Sequence, residues 1–148
     1  MISIISSDKT QTIGHRLRHN IIDKLNNKID VYGRTYNPID YKLDGLKDYR
    51  FNIVVENTKR DYWFTEKLID CFVTGTVPIY WGCPSIGNFF NTNGMIIFET
   101  LGELEEILNN LTEKDYLNCL DFINENYNLS KKYLLPDDLI YRNLTLHK

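Results

Sequence analysis

Short apolar runs along this chain alternate with segments whose apolar residues recur every third or fourth position, starting at the first residue. Residues 2–6 read as a short buried strand. After a Gly14-His15 break comes a helix with Leu17, Ile21, Ile22 and Leu25 on one face. Residues 29–32 form a second strand closed by Gly33, and 34–47 are irregular, punctuated by Pro38 and Gly45. The run FNIVVE at 51–56 is the strongest strand signal in the first half. Past a loop at 57–61, the spacing predicts a helix from about residue 62 to 74, capped by Asp61 and stopped by Gly75. Its buried stripe is Phe64, Leu68, Cys71 and Phe72. Strands at 77–81 and 95–98 and helices at 101–111 and 114–126 complete the pattern. Beyond Tyr127 the pattern is ambiguous, because Pro136 interrupts helical spacing on either side.

Strands separated by helical segments imply right-handed crossovers and a parallel sheet covered on both faces, an α/β fold. Ligands of such sheets lie at the carboxyl ends of the strands. That rule directs attention to residues 6–18, 56–67 and 81–85. In the second segment a helix start leaves backbone N–H groups unpaired and favours an anion. Lys67 there adds a point charge suited to phosphate, and Asn57 at the strand exit can donate its amide to a phosphate oxygen. Glu66 suits sugar hydroxyls instead. A solvated Glu-Lys pair on an amphipathic helix explains the same spacing. Residues 14–18 repeat the geometry: either Arg16 or Arg18 could reach a diphosphate, or both could be structural. His15 and His19, four apart, lack the third nearby ligand that a metal site needs. Tyr80 and Trp81 read as core and turn, or as the wall of a sugar or base pocket. No glycine-rich dinucleotide or Walker-type loop is present, nor any D-x-D triplet.

At 148 residues the chain has the length of one domain. Its 43% hydrophobic and 25% charged residues are ordinary for a globular protein. A formal net charge of −3 argues against broad nucleic-acid binding, which needs a basic face, yet leaves room for a small anion held by a few placed cations. Cys71, Cys83 and Cys119 are odd in number and form no C-x-x-C pair, which fits unpaired thiols in a reducing compartment. The first residues have neither the basic region of a signal peptide nor the length of a membrane span, so a cytoplasmic location is expected. N-x-S/T triplets at Asn110, Asn128 and Asn143 fit chance in an Asn-rich chain.

Four blocks in order carry a resemblance. Tyr49-Arg50-Phe51-Asn52, Glu56-Asn57-Thr58, Thr65-Glu66-Lys67, and the run from Gly75 through Pro78 and Gly82 to Ser85 resemble the hallmark motifs of the α1,3-fucosyltransferase family, glycosyltransferase family 10. The resemblance implies a metal-independent, two-domain GT-B glycosyltransferase whose Rossmann-like C-terminal domain binds GDP-fucose. Carried over position by position, Asn57 and Lys67 look like phosphate contacts and Glu66 like the residue that holds the fucose. Arg18 looks like the diphosphate arginine, with Arg16 the fallback. Trp63 stands where the family often has Tyr, with Tyr62 beside it, and both are candidates for packing against the donor.

The family's acceptor-binding domain, which supplies the base for the acceptor hydroxyl, normally precedes these motifs, whereas here they begin near Met1. The expectation is therefore a GDP-sugar-binding half that works on a glycan acceptor. It would act as a fragment, with a partner acceptor-binding subunit or in a homo-oligomer, or as a binding module that has lost transfer activity. No general base can be nominated from the sequence.

Overall fold

Every residue of the strands Phe51–Val55 (β3) and Val77–Trp81 (β4) is buried, as befits central strands of a parallel sheet covered on both faces. The structure, a computed structural model, describes residues 1–133; the helical spacing around Pro136 and the Asn143 triplet lie outside them. The other strands are Ile2–Ile5 (β1), Asp30–Tyr32 (β2) and Ile96–Ile97 (β5), and the helices are Ile13–Leu25 (α1), Glu66–Thr74 (α2), Leu101–Asn110 (α3) and Glu113–Ser130 (α4). All strand pairings are parallel, in the order β2-β1-β3-β4-β5. From β1 the chain moves outward one way to β2, and from β3 the other way to β4 and β5. The order therefore reverses between β1 and β3.

The alternation of side chains along each strand splits the core into two layers. Phe51, Ile53 and Val55 of β3, with Val77, Ile79 and Trp81 of β4, pack against Ile21, Ile22 and Leu25 of α1, Leu104 and Leu108 of α3, and Cys119 and Ile123 of α4. Val54 and Tyr80 face the opposite way, against Leu68, Ile69, Cys71 and Phe72 of α2 and Phe90 and Met95 of the β4–β5 connection. Buried polar groups on this second face satisfy one another: Asn52 Nδ2 donates to Ser3 Oγ at 2.8 Å, and Ser3 Oγ donates to the Gly45 carbonyl at 2.7 Å. Tyr80 and Trp81 belong to this core, with the Tyr80 hydroxyl accepting from the Cys83 N–H at 3.0 Å.

Helix α2 begins at Glu66, four residues later than the spacing predicts, and Asp61 does not cap it. The N-cap residue is Thr65, and residues 57–65 form a loop in which Tyr62 takes a positive φ of 59°. Helix α1 begins at Ile13, so Gly14 and His15 lie within its first turn rather than before it. Helix α4 runs on to Ser130. It contributes to both layers and holds the β4–β5 connection, where Asn126 exchanges two hydrogen bonds with the backbone of Asn91 at 2.7 and 2.9 Å.

Gly14 determines how close α1 comes to β3. Its N–H donates to the Asn57 carbonyl at 3.0 Å, and a Cβ there would stand 1.7 Å from the Glu56 carbonyl oxygen. Gly14→Ala must push the helix off the strand and should cost about 1–3 kcal/mol or more of unfolding free energy. Gly87→Ala, whose Cβ would meet only Thr92 Cγ2 at 3.5 Å, should be nearly neutral. Urea unfolding of the two variants checks this; equal losses would contradict the close packing.

Candidate functional site

β3 ends in a charged residue with no exposure at all. Glu56 follows the wholly buried run Phe51–Val55, and its backbone N–H continues the ladder to the Trp81 carbonyl at 2.9 Å. A buried carboxylate is costly unless its oxygens are hydrogen-bonded. Here Oε1 accepts the Thr65 N–H at 2.8 Å, while Oε2 accepts the Thr65 hydroxyl at 2.7 Å and the Lys67 ammonium at 3.5 Å. Lys67 Nζ also donates to Thr65 Oγ1 at 2.9 Å. Thr65 thus spends its side chain on Glu56 rather than on capping α2. The start of α2 is left without a side-chain cap, with Lys67 in its first turn, an arrangement that favours an anion.

Arg18 approaches from α1. It is 4% exposed, with Nη1 donating to the Val55 carbonyl and Nη2 donating to Asn57 Oδ1 at 3.1 Å. Burial pulls the guanidinium pKa down and Glu56 partly opposes this, but arginine remains protonated in proteins. Because a guanidinium only donates, its bond fixes which atom of Asn57 is the oxygen and leaves Nδ2 as a donor.

Arg18, Asn57 and Lys67 line a single cavity of about 280 Å³, together with Ser6, Ser7, Lys9 and His15. It opens at the carboxyl ends of β1 and β3, the point where the strand order reverses and where doubly wound sheets bind ligands. Three cations line it, and among the described residues no carboxylate does. In a chain of net charge −3 this concentrates positive potential at one opening.

Glu66 and Tyr62 lie elsewhere. They line a second, larger groove of about 570 Å³ with Phe64, Asp70 and Phe89. Lys42 donates to Glu66 Oε1 at 3.2 Å and to Asp70 Oδ2 at 3.1 Å. Burial pushes the Glu66 carboxyl up, but Lys67 and the bond from Lys42 outweigh it and hold the group below its ordinary range. Tyr62 packs edge-on against Phe89, and its N–H donates to Ser85 Oγ at 2.8 Å. Trp63 is about half exposed and lines neither opening. Thr65, one residue before Glu66, lines this groove, and its hydroxyl also bonds Glu56 and Lys67, the latter a wall residue of the cationic cavity.

One sequence expectation changes here, the open cap at α1, and the geometry bears on two others. Arg16 is turned away, donating to the carbonyls of Thr10 and Gln11. The start of α1 offers no open cap, since the His15 N–H is taken by Thr12 Oγ1 and the Gly14 N–H by the Asn57 carbonyl. His15 and His19 do not form a pair, because His19 bonds Tyr36 Oη and the Lys9 carbonyl. Sequence reasoning missed Glu56 and Thr65 as organisers, although a carboxylate directly following the strand signal FNIVV was the available cue.

A doubly wound parallel sheet with a cationic cavity at its strand-order reversal is an α/β domain of the nucleotide-binding kind. The family model for the C-terminal part of glycosyltransferase family 10 (fucosyltransferase) matches residues 1–133, and the chain belongs to that family. It is 30% identical over 133 residues to an alpha-(1,3)-fucosyltransferase of Helicobacter pylori, an alignment covering 86% of this chain and 25% of the bacterial one. Its fold matches solved alpha1,3-fucosyltransferases bound to GDP and to GDP-fucose, each with a TM-score of 0.66 and 28% identity, over 85% of this chain and 38% of theirs. The chain thus spans about a quarter of the length of that curated relative.

Glu56→Gln replaces an acceptor-only group with one that cannot accept from both Thr65 donors and Lys67. It should cost about 2–4 kcal/mol of stability. Thr65→Ser keeps the hydroxyl and should stay near the parent. Urea midpoints measure both, and a Glu56→Gln protein as stable as the parent would show that the carboxylate does not organise this loop.

Proposed function

We propose that this chain is the donor-binding part of a fucosyltransferase, taking GDP-fucose and passing the sugar to a glycan hydroxyl with inversion. One observation carries the reading: Arg18 and Lys67, brought in by different helices, line the same cavity beside Asn57. The diphosphate would lie between the two cations, accepting from Asn57 Nδ2 and from the uncapped start of α2. The fucosyl group would point toward Glu66 and Tyr62 in the neighbouring groove, with Trp63 outside both openings. Relatives solved with GDP and with GDP-fucose support this choice of ligand.

In the reaction so proposed, the acceptor oxygen attacks the anomeric carbon from the side opposite the diphosphate. The bond from that carbon to the phosphate oxygen breaks, and its electrons leave with GDP. Arg18 and Lys67 meet the charge that develops on the departing oxygens, a stabilisation that grows toward the transition state. The acceptor proton needs a base within hydrogen-bond reach. Among the described residues Glu56 is already engaged by Thr65 and Lys67, and Glu66 by Lys42. The base would therefore come from an acceptor-binding domain or partner. This engagement also favours a second reading, a sugar-nucleotide-binding module without turnover.

Calorimetry with GDP and GDP-fucose tests the site. Both should bind below millimolar concentration, and Lys67→Ala should weaken GDP by about tenfold or more, the cost of losing a charged hydrogen bond. Lys114→Ala, an exposed lysine on α4, should leave affinity unchanged. Absence of binding, or equal effects of the two variants, would overturn the proposal. Transfer to a glycan acceptor separates the enzyme from the silent module.

A further inference from the structure

His15 lies on the α1 wall of the cationic cavity and is 7% exposed. Its ring is fixed by a reciprocal capping arrangement. The His15 N–H donates to Thr12 Oγ1 at 3.2 Å, and His15 Nδ1 accepts from the Thr12 N–H at 3.2 Å. A ring nitrogen that accepts from an amide carries no proton, so the neutral ring keeps its proton on Nε2. Nε2 has no protein partner among the described residues. None of their buried side-chain polar atoms is sealed off without one, so Nε2 keeps access to solvent in a residue that lines the cavity.

The neighbours keep the ring neutral. Burial, then Arg18, Lys9, His19 and Lys67, push the imidazolium below its ordinary pKa. Arg18 and His19 are on its own helix, Lys9 comes from the loop after β1, and Lys67 comes from α2. The acidic group of β3, Glu56, is already engaged by Thr65 and Lys67. A second proton on Nδ1 would in addition break the bond from Thr12.

Resting on the reading of this cavity as a diphosphate site, we propose that His15 is a further donor-binding residue, hydrogen-bonding a phosphate oxygen through Nε2–H as the neutral imidazole. Arg18 and Lys67 then supply charge, while His15 and Asn57 supply direction. A neutral donor fixed at one tautomer adds no like charge beside Arg18, and needs no reorganisation when the ligand arrives.

His15→Gln tests this, because glutamine at the third helical position preserves the capping arrangement with Thr12 while moving the donor off the ring position. It should keep the parental melting temperature yet weaken GDP-fucose by about tenfold. Titrations of the parent at pH 7 in two buffers of different ionisation enthalpy should show no proton uptake. Long-range proton–nitrogen spectra of the parent should show the Nε2–H tautomer both free and bound, with the Nε2 resonance shifting on addition of GDP-fucose. Unchanged affinity in His15→Gln, an unmoved Nε2 resonance, or a ring that gains a proton on binding would each overturn the assignment. A parent that fails to bind GDP-fucose at all would instead sink the underlying reading of the cavity.

Discussion

A carboxylate buried at the end of a central strand is the constraint around which this site is built. Glu56 cannot be hydrated, so its oxygens must be met by protein donors. The donors it recruits, the Thr65 N–H and hydroxyl and the Lys67 ammonium, fix where the loop 57–65 ends, where α2 starts and where its first cation points. Glycines on both flanks are shaped to the same residue: a Cβ on Gly14 would strike its carbonyl oxygen, and one on Gly82 would come within 2.6 Å of its Cγ. Strand end, helix start, turn and helix wall all close on one residue.

The electrostatics follow from that placement. An acidic chain gathers Lys9, Arg18 and Lys67 at a single opening, and the one carboxylate among them in space is withdrawn beneath the surface. At the larger groove the sign changes. Glu66 and Asp70 share Lys42, and aromatic side chains replace cations. The two openings offer complementary chemistry: one suits phosphate oxygens, the other hydroxyls and the apolar face of a sugar ring.

Periodicity made the layered α/β architecture legible, because the largely apolar runs of β3 and β4 and the helical stripes of α1 and α2 each report burial directly. Local rules failed where a distant partner overrode them. Asp61 has the chemistry of a cap, yet the loop keeps its own conformation through Ser85 and the left-handed Tyr62, and the helix waits for Thr65. Glu66 and Lys67 are adjacent in sequence but turn into different openings, since consecutive helical residues point about 100° apart. The surroundings of His15 were not legible in the sequence, because its bond to Thr12 and its place on the cavity wall depend on folding. Motif order identified the family, while the geometry of each side chain did not follow from it.

The two cations reach the cavity from opposite layers, Arg18 on the helix packed over one face of the sheet and Lys67 on the helix packed over the other. A ligand held by both would clasp the layers together across the sheet's upper rim. Fluctuations that detach α1 or α2 separately must release that ligand, so occupancy raises the free energy of both local openings at once. Amide exchange in the two helices, independent in the empty protein, would then slow in concert although neither helix packs its apolar stripe against the other.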